Sequence, residues 1–139
     1  MTASQEIPWD ELRILAREAA TRSYAPYSQV RVGAAGITDR STFVSGSNVE
    51  NASYGLTLCA ECSLVSDLVG RGGGRLRGVS IVAGDGQPLA PCGRCRQVLF
   101  EHGGNELLLD AGVDAGARPL RELLPDAFGP DDLGRRRSE

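Results

Sequence analysis

The sequence predicts an α/β fold in which helices pack on both faces of a mixed β-sheet. The chain has 139 residues, which is enough for one hydrophobic core and too few for two full ones. Its 41% hydrophobic and 24% charged residues are close to average globular usage. Apolar residues with helical and with extended spacing follow one another in the order helix, strand, strand, helix, strand, helix, strand. These observations favour a single domain.

Apolar residues at helical spacing predict the first helix, over about Pro8–Ser23, because proline is tolerated in a first turn. The segment Tyr24–Tyr27 ends this helix. Alternating residues over Val30–Ala34 then predict a strand, and Thr42–Ser47 predicts a second strand after a polar turn. The two strands are expected to form a hairpin.

The second half of the chain follows the same reasoning. The polar, aperiodic segment Asn48–Thr57 predicts a loop, and loops beside rigid elements often carry function. Further elements are expected as helix Leu58–Leu68, strand Val79–Ala83, helix Cys92–Glu101, strand Glu106–Asp110 and short helix Leu120–Leu124. We expect one domain over residues 1–130 and a flexible, solvated tail over residues 131–139.

The net charge and the apolar stretches limit which binding partners and which cellular compartment are expected. A formal net charge of −3 offers no basic surface for phosphate backbones, so a small molecule is a better candidate than nucleic acid. Met1–Asp10 lacks the pattern of a secretory signal, and the apolar stretch Val79–Ala83 is far below the roughly 20 residues that cross a bilayer. We therefore expect a cytoplasmic protein with reduced cysteines.

The four cysteines form two pairs of the type Cys-x-x-Cys, separated by 29 residues. Three explanations fit this spacing. A closed structural zinc site would use all four thiolates of Cys59, Cys62, Cys92 and Cys95. A redox dithiol would use the second pair alone. A catalytic zinc site would use three thiolates, keep one position open and leave Cys62 over.

Glu61 lies between the cysteines of the first pair and favours the catalytic explanation. A water activated by a metal needs a nearby proton acceptor, whereas a structural zinc knuckle does not. The alternative role is an acidic residue that complements the positive end of a helix. Three thiolates on Zn²⁺ also leave excess negative charge, which the N-termini of two helices, Arg94 or Arg96 could offset.

Several segments resemble the homotetrameric cytidine deaminase family. The resemblance rests first on Cys59–Glu61 and on Pro91–Gln97, which reads Pro-Cys-Gly-Arg-Cys-Arg-Gln. The segments Tyr24–Ser28, Val32–Ala35 and Asn48–Gly55 are similar to that family's segments in the same order. Together they cover most of residues 9–130.

The resemblance implies a three-layer α/β/α sandwich around a mixed sheet of five strands, assembled as a homotetramer with sites shared between subunits. It also implies one zinc ion per subunit, held by Cys59, Cys92 and Cys95. Glu61 would pass a proton from the metal-activated water to N3 of the pyrimidine while the oxygen adds at C4. The implied reaction converts cytidine and 2′-deoxycytidine to uridine and 2′-deoxyuridine with release of ammonia, as in pyrimidine salvage.

The resemblance also implies the substrate contacts. Asn48 and Glu50 would hold the ribose hydroxyls, and the backbone at Ala60 would bind the base edge. Ala52 and Tyr54 would enter a neighbouring subunit's pocket, and Phe128 would close over the base. Considered without the family, the two polar side chains are ordinary loop residues and the aromatic ones are core candidates.

Two positions depart from the family pattern. Many members carry Arg directly after the catalytic Glu, where this chain has Cys62, so Arg96 or Arg94 is expected to supply the positive charge. A Phe that stacks on the pyrimidine is replaced by Val30, which makes a deaminase for a modified cytosine nucleoside, such as an antibiotic of the blasticidin type, a rival. A non-catalytic module with a four-cysteine zinc site is the rival from another class.

Overall fold

The structure is a computed structural model that describes residues 6–137. Residues 1–5 and 138–139, the outer ends of the predicted domain and tail, lie outside the described residues. In chain order the elements are α1 (Trp9–Ala20), β1 (Val32–Thr38), β2 (Phe43–Ser47), a 3-10 turn (Tyr54–Leu56), α2 (Ala60–Gly70), β3 (Leu76–Ala83), α3 (Gly93–Gly103), β4 (Leu108–Asp110), β5 (Ala117–Pro119), α4 (Leu120–Leu123) and α5 (Pro130–Arg137). No helix within residues 6–137 is long and apolar enough to cross a membrane.

The five strands form one mixed sheet in the order β2-β1-β3-β4-β5. Strand β1 is antiparallel to both β2 and β3, β3 is parallel to β4, and β5 is antiparallel to β4. The strands β2, β3 and β4 therefore point in one direction, and their carboxyl ends lie at the same edge of the sheet. Ligand sites of open α/β sheets form at this kind of edge. The mixed five-stranded sheet expected from the resemblance is confirmed.

Helices cover both faces of the sheet, as the sequence predicts. The face that carries α1 is closed by a small cluster around Leu12, Ala16, Ala35 and Val82. The opposite face, under α2 and α3, holds the larger apolar core, whose members are Ala34, Val44, Ala60, Leu64, Leu68, Leu76, Val79, Ile81, Leu99, Leu107, Leu109 and Leu120. Successive residues of β1 alternate between these two clusters, as the pleat of a strand requires.

Two glycines allow the helices to approach the sheet closely. A Cβ atom on Gly33 would lie 1.8 Å from the carbonyl oxygen of Ala16 in α1, and one on Gly46 would lie 2.6 Å from that of Ala60 in α2. Any side chain at Gly46 would thus displace the first turn of α2. Because that turn carries Glu61, Gly46 helps to set where the carboxylate stands relative to the sheet.

The structure contains a strand and a helix that the spacing of apolar residues does not predict. Strand β5 has three residues and forms by pairing with β4, for example Leu109 with Arg118. It is therefore stabilised by a tertiary contact and not by a local sequence pattern. Helix α5 lies in the segment expected to be a tail. It buries none of its residues, and it has acidic residues in its first turn and three arginines in its last turn. Those charges complement the helix dipole, which an apolar periodicity cannot reveal.

A buried ion pair joins α1 to the end of β4. Arg13 donates from Nε and Nη2 to the two carboxylate oxygens of Asp110, each at 2.8 Å. The hydroxyl of Ser80 and the amide of Gly112 donate to the same carboxylate, each at 2.9 Å. Burial tends to raise the pKa of Asp110, but these donors outweigh it and hold the pKa below its ordinary value.

We expect Asp110→Asn to lower the free energy of unfolding at pH 7 by about 2–4 kcal/mol, because the guanidinium loses a buried partner. A depressed carboxyl pKa stabilises the fold above the unfolded value, near pH 4, and this contribution is lost as pH falls through the lower folded value. The difference between the two chains should therefore shrink below about pH 4 in urea titrations. Asp10→Asn removes the exposed partner of Arg13 and should cost less than about 0.5 kcal/mol. Equal effects at the two positions would contradict the assignment.

Candidate active site

The candidate site lies at the edge of the sheet where β2 and β3 end. The chain leaves β2 through residues 48–59 and enters α2, and it leaves β3 through residues 84–92 and enters α3. Cys59 and Cys92 are the N-cap residues of these two helices, and both have extended backbone dihedral angles. Two distant segments of the sequence thus place their cysteines at two neighbouring helix N-termini, where the helix dipoles favour negative charge.

Three sulfur atoms come together at these helix ends. The Sγ atoms of Cys59, Cys92 and Cys95 lie within 4.8 Å of one another, and those of Cys59 and Cys92 are 3.9 Å apart. Two thiolates on a tetrahedral zinc, each about 2.3 Å from the ion, are about 3.8 Å apart. The spacing and the soft sulfur donors therefore fit Zn²⁺.

The three thiols do not titrate alike. Burial is the largest influence on Cys59 and Cys95 and raises the pKa of both, and the neighbouring Glu61 carboxylate raises them further. The backbone amide of Cys95 lowers the pKa of Cys92. A divalent cation among the sulfurs would favour the thiolate form of all three, so the cluster and its ion stabilise each other.

Glu61 is the second residue of α2 and is buried, with 4% of its surface exposed. Burial raises the pKa of this carboxyl, against the lowering effect of its own amide and of a hydrogen bond with the Cys95 thiol. The side chain therefore faces the cysteine cluster and not the solvent. A carboxyl group beside a metal-binding cluster is suited to accept and return protons.

Cys62 lies outside the group of three sulfurs within the described residues. Its Sγ accepts a hydrogen bond from Nη2 of Arg94 at 3.4 Å, and the same nitrogen lies 3.3 Å from the carbonyl oxygen of Thr57. This contact with Cys62, together with the sulfurs of Cys59 and Cys95, raises the pKa of Arg94. The guanidinium of Arg94, on α3, therefore faces the start of α2.

The two arginines named from the sequence point in different directions. Arg96 donates from Nε to the carbonyl of Pro91 at 2.9 Å and from Nη1 to the carbonyl of Leu123 at 2.8 Å. These contacts tie α3 to the end of α4. The structure therefore brings Arg94 to the cysteines and engages Arg96 in holding the backbone.

Asn48 and Glu50 lie on the segment that follows β2, and both bind residues 27–32. The Asn48 amide accepts from the Val32 N–H at 2.9 Å and donates to the Val30 carbonyl at 2.8 Å. Glu50 Oε1 accepts from the amides of Tyr27 and Ser28 at 2.9 and 3.1 Å. The hydroxyl of Ser28 donates to the other oxygen, Oε2.

A cleft of about 210 Å³ opens at Glu50 and is lined by Tyr27, Ser28, Glu50, Tyr54 and Thr57. Its two tyrosine rings meet edge to face, with centroids 6.2 Å apart. The hydrogen bond from Ser28 is the largest influence on Glu50 and lowers its pKa, so the carboxylate is charged over the neutral range. The cleft therefore presents an oriented anion and aromatic surface.

The other residues named from the resemblance differ in their exposure. Ala60 is buried in the first turn of α2, next to Glu61. Ala52 and Tyr54 are exposed on the loop after β2. Phe128 is 58% exposed, and its carbonyl accepts from Gln97 of α3 at 2.7 Å. Val30 is 54% exposed beside Asn48.

Sequence reasoning missed two residues that the structure places in contact with the site residues. Ser28 belongs to the matched segment Tyr24–Ser28, but its contact with Glu50 spans 22 residues and leaves no local signal. Thr57 contributes only its carbonyl oxygen to Arg94, and a backbone atom cannot be recognised from residue type. The feature that could have pointed to Ser28 is a serine within the turn of residues 26–28, since serine hydroxyls often form hydrogen bonds in turns.

Comparison with known proteins agrees with this geometry. Residues 9–109 match the sequence model of the cytidine and deoxycytidylate deaminase zinc-binding region. The cytidine deaminase of Mycobacterium tuberculosis is 56% identical over 132 residues, which cover 95% of this chain and 98% of that protein. The cytidine deaminase of Halalkalibacterium halodurans is 38% identical over 123 residues, covering 86% of this chain and 91% of that protein.

Solved structures show the same fold. The crystal structure of the cytidine deaminase from Mycobacterium tuberculosis matches with a TM-score of 0.85 and 54% identity, over 89% of this chain and 99% of that one. The structure from Mycobacterium leprae matches with a TM-score of 0.83 and 50% identity, over 87% of this chain and 100% of that one. The zinc cofactor expected from the sequence is supported both by the matched zinc-binding region and by the cluster of three cysteines. This chain belongs to the cytidine deaminase family and is a zinc-dependent deaminase.

Proposed function

We propose that the chain catalyses hydrolytic deamination of cytidine and 2′-deoxycytidine to uridine and 2′-deoxyuridine, with release of ammonia. The observation that carries the proposal is the buried carboxyl of Glu61 against a cluster of three cysteine sulfurs that fits zinc. Cytidine deaminase is the name of relatives that are 56% and 38% identical over 95% and 86% of this chain. The reaction serves pyrimidine salvage.

Cys59, Cys92 and Cys95 would hold the ion through their three sulfurs. When bound, zinc supplies Lewis acidity, which makes a water able to lose a proton near neutral pH. Every proton transfer is assigned to Glu61. Its carboxylate accepts a proton from the attacking water and donates it to N3 of the pyrimidine, while the water oxygen adds to C4.

The second half of the reaction uses the same carboxyl group. Glu61 accepts the remaining proton of the added hydroxyl and donates it to the amino group at C4. The C4–N bond then breaks and ammonia leaves, so that the product carries a carbonyl at C4 and a proton at N3. Because Glu61 is buried, its carboxyl group is shielded from bulk water during these transfers.

Arg94 is assigned the role of offsetting the thiolate charge, in place of the arginine that many family members carry at the position of Cys62. Its support is the contact between its guanidinium and Cys62 Sγ, together with the effect of Cys59 and Cys95 on its pKa. The N-termini of α2 and α3 add positive potential at Cys59 and Cys92. Arg96 is assigned the role of tying α3 to the end of α4.

Glu50 and Asn48 are assigned to the sugar, and the buried backbone at Ala60 to the base edge. Asn48 already makes two hydrogen bonds to the chain, so it has one N–H and one acceptor position left for a ligand. Glu50 has an acceptor position left on Oε2, which receives a single bond from Ser28. Both groups can therefore bind hydroxyls without losing the bonds that orient them.

The assembly proposed is a homotetramer with shared sites, in the cytoplasm. Several large apolar residues around the site are exposed in the single chain, with Tyr54 75%, Leu56 66% and Phe128 58% accessible. The loop residues Ala52 and Tyr54 are assigned to complete the pocket of a neighbouring subunit. Phe128 is assigned to close over the base. A reducing compartment keeps the thiols of the site available to a metal.

The decisive experiment is a spectrophotometric assay of purified protein with cytidine and 2′-deoxycytidine, with zinc quantified in the same sample. We expect about one zinc per chain and ammonia release in proportion to it. A modified cytosine nucleoside of the blasticidin type is included because the exposed Val30 leaves a smaller wall than Phe would. Turnover of that substrate alone would assign the rival specificity, and no ammonia from any of the three would remove the enzymatic proposal.

A further inference from the structure

Ser28 occupies an unusual position between the sugar-binding carboxylate and the wall of the site. Its hydroxyl donates to Oε2 of Glu50 and accepts from the amide of Val30 at 3.0 Å. Because the Val30 amide occupies a lone pair of the hydroxyl, the hydroxyl proton is directed toward the carboxylate. One small side chain thus links Glu50 to the backbone of Val30.

The backbone around Ser28 is shaped to make this contact. Gln29 adopts a left-handed conformation with φ of 62°, and its amide donates to the carbonyl of Ala25 at 3.1 Å. In this turn the amides of Tyr27 and Ser28 both point at Oε1 of Glu50. A left-handed residue other than glycine costs free energy and persists where surrounding contacts impose it. The turn and the carboxylate therefore order each other.

A buried acid needs hydrogen-bond donors to offset the cost of its burial, whereas the carboxylate of Glu50 is accessible and does not need its three donors for that reason. It lies on the wall of an open cleft, and no ion pair among residues 6–137 involves it. Three donors on one accessible carboxylate restrict its orientation and leave an acceptor position of Oε2 toward the cleft. Such preorganisation increases affinity by reducing the entropy that a ligand must remove.

We infer that Ser28 is a positioning residue that orients Glu50 toward the sugar hydroxyls and so sets affinity for the sugar without taking part in the chemistry at the base. The inference rests on the proposed function. Ser28 contacts Glu50, which is assigned to the sugar, whereas the proton transfers are assigned to Glu61, so removing the hydroxyl of Ser28 should affect binding and leave the proton transfers intact.

The test is a steady-state comparison of Ser28→Ala with the unmodified holoenzyme. We expect KM for cytidine to rise about tenfold, as loss of a hydrogen bond to a charged group predicts, with kcat changed less than about twofold. Ser28→Thr retains the hydroxyl and should restore KM. For 2′,3′-dideoxycytidine, which has no hydroxyls for Glu50, Ser28→Ala should change kcat/KM by less than about twofold.

A serine in the same region provides the matched control. Ser23 donates its hydroxyl to the carbonyl of Val32 at 3.2 Å, so it holds the same segment without contacting Glu50. Ser23→Ala should leave KM for cytidine within about twofold. In a Glu50→Gln background, Ser28→Ala should add less than about twofold, because the two changes act on one contact.

Each other outcome has a definite meaning. An unchanged KM in Ser28→Ala, a fall in kcat, or an equal loss on the dideoxy substrate would overturn the inference and leave only a structural role for the turn. If the unmodified chain itself fails to deaminate cytidine, the proposed function fails and the inference falls with it. The two failures are distinguishable because the second appears before any substitution is made.

Discussion

Replacement of Glu61 by glutamine is expected to lower kcat for cytidine by about 10³-fold or more while zinc stays bound. Glutamine has nearly the same shape as glutamate but cannot accept or return a proton. Glu61 is 4% exposed and faces the cluster, so no base dissolved in the solvent can take its place. The chain should fold normally, because a neutral amide is easier to bury than a carboxylate. Steady-state kinetics and zinc content of the same preparation measure both quantities.

A glutamate on another helix of the site provides the control for this variant. Glu101 is exposed on α3, the helix that carries Cys95, and Glu101→Gln should change kcat by less than about twofold, because surface substitutions usually have small effects. The melting temperature of both variants reports any unfolding. If Glu61→Gln kept kcat within tenfold of the unmodified chain, another group would have to be the proton carrier.

Replacement of Cys95 by serine is expected to remove zinc and activity together. Cys95 is fully buried in the first turn of α3, and its sulfur belongs to the cluster of three. Mutating a group that only orients a metal ligand costs about 10–100-fold in affinity, so losing a ligand should cost more than about 100-fold. The ends of α2 and α3 should also loosen, because an ion held by Cys59, Cys92 and Cys95 would join them. Zinc titration with a competing chelator and amide exchange of residues 59–65 measure the two effects.

The matched comparison is Cys62→Ser, which removes a sulfur from the same small region. Cys62 binds Arg94 and stands outside the cluster, so this variant should keep zinc affinity within about tenfold, less than the loss of a ligand costs. The same titration on Arg94→Met should show a loss of about 10–100-fold, as expected for a residue that supports the ligands. Equal loss of zinc in Cys62→Ser and Cys95→Ser would establish a four-thiolate module and refute the catalytic assignment.

Much of the fold follows from local patterns in the sequence. Helix α1 appears as Trp9–Ala20 within the predicted Pro8–Ser23, because its buried residues Leu12, Ala16 and Ala19 recur at helical spacing. Strand β3 extends the predicted Val79–Ala83 to begin at Leu76. In both cases the elements are long and their apolar residues dense. Strand β5 is too short for such a signal and exists through its partner β4.

The metal cluster and Glu61 were predictable for a different reason. Thiols and a carboxylate at fixed short spacing are chemically unusual, so Cys59–Glu61 and Cys92–Cys95 mark a candidate metal site by residue type, and the resemblance to the family selected three of the four cysteines as ligands. The role of Arg94 was not decidable in this way. Arg94 and Arg96 are two residues apart on α3, and they point in different directions because the helix turns by about 100° per residue.

The amino-acid sequence alone determined the class of fold, the family resemblance and the groups able to bind metal and move protons, since these depend on residue type and local spacing. Only the tertiary structure decided that Cys62 pairs with Arg94 and that Ser28 orients Glu50. These contacts join residues 32 and 22 positions apart in the chain. The first contact exists because β2 and β3 end at one edge of the sheet and lead into α2 and α3. The second exists because antiparallel β1 begins where β2 ends, with Gly33 opposite Ser47. No short stretch of sequence contains that information.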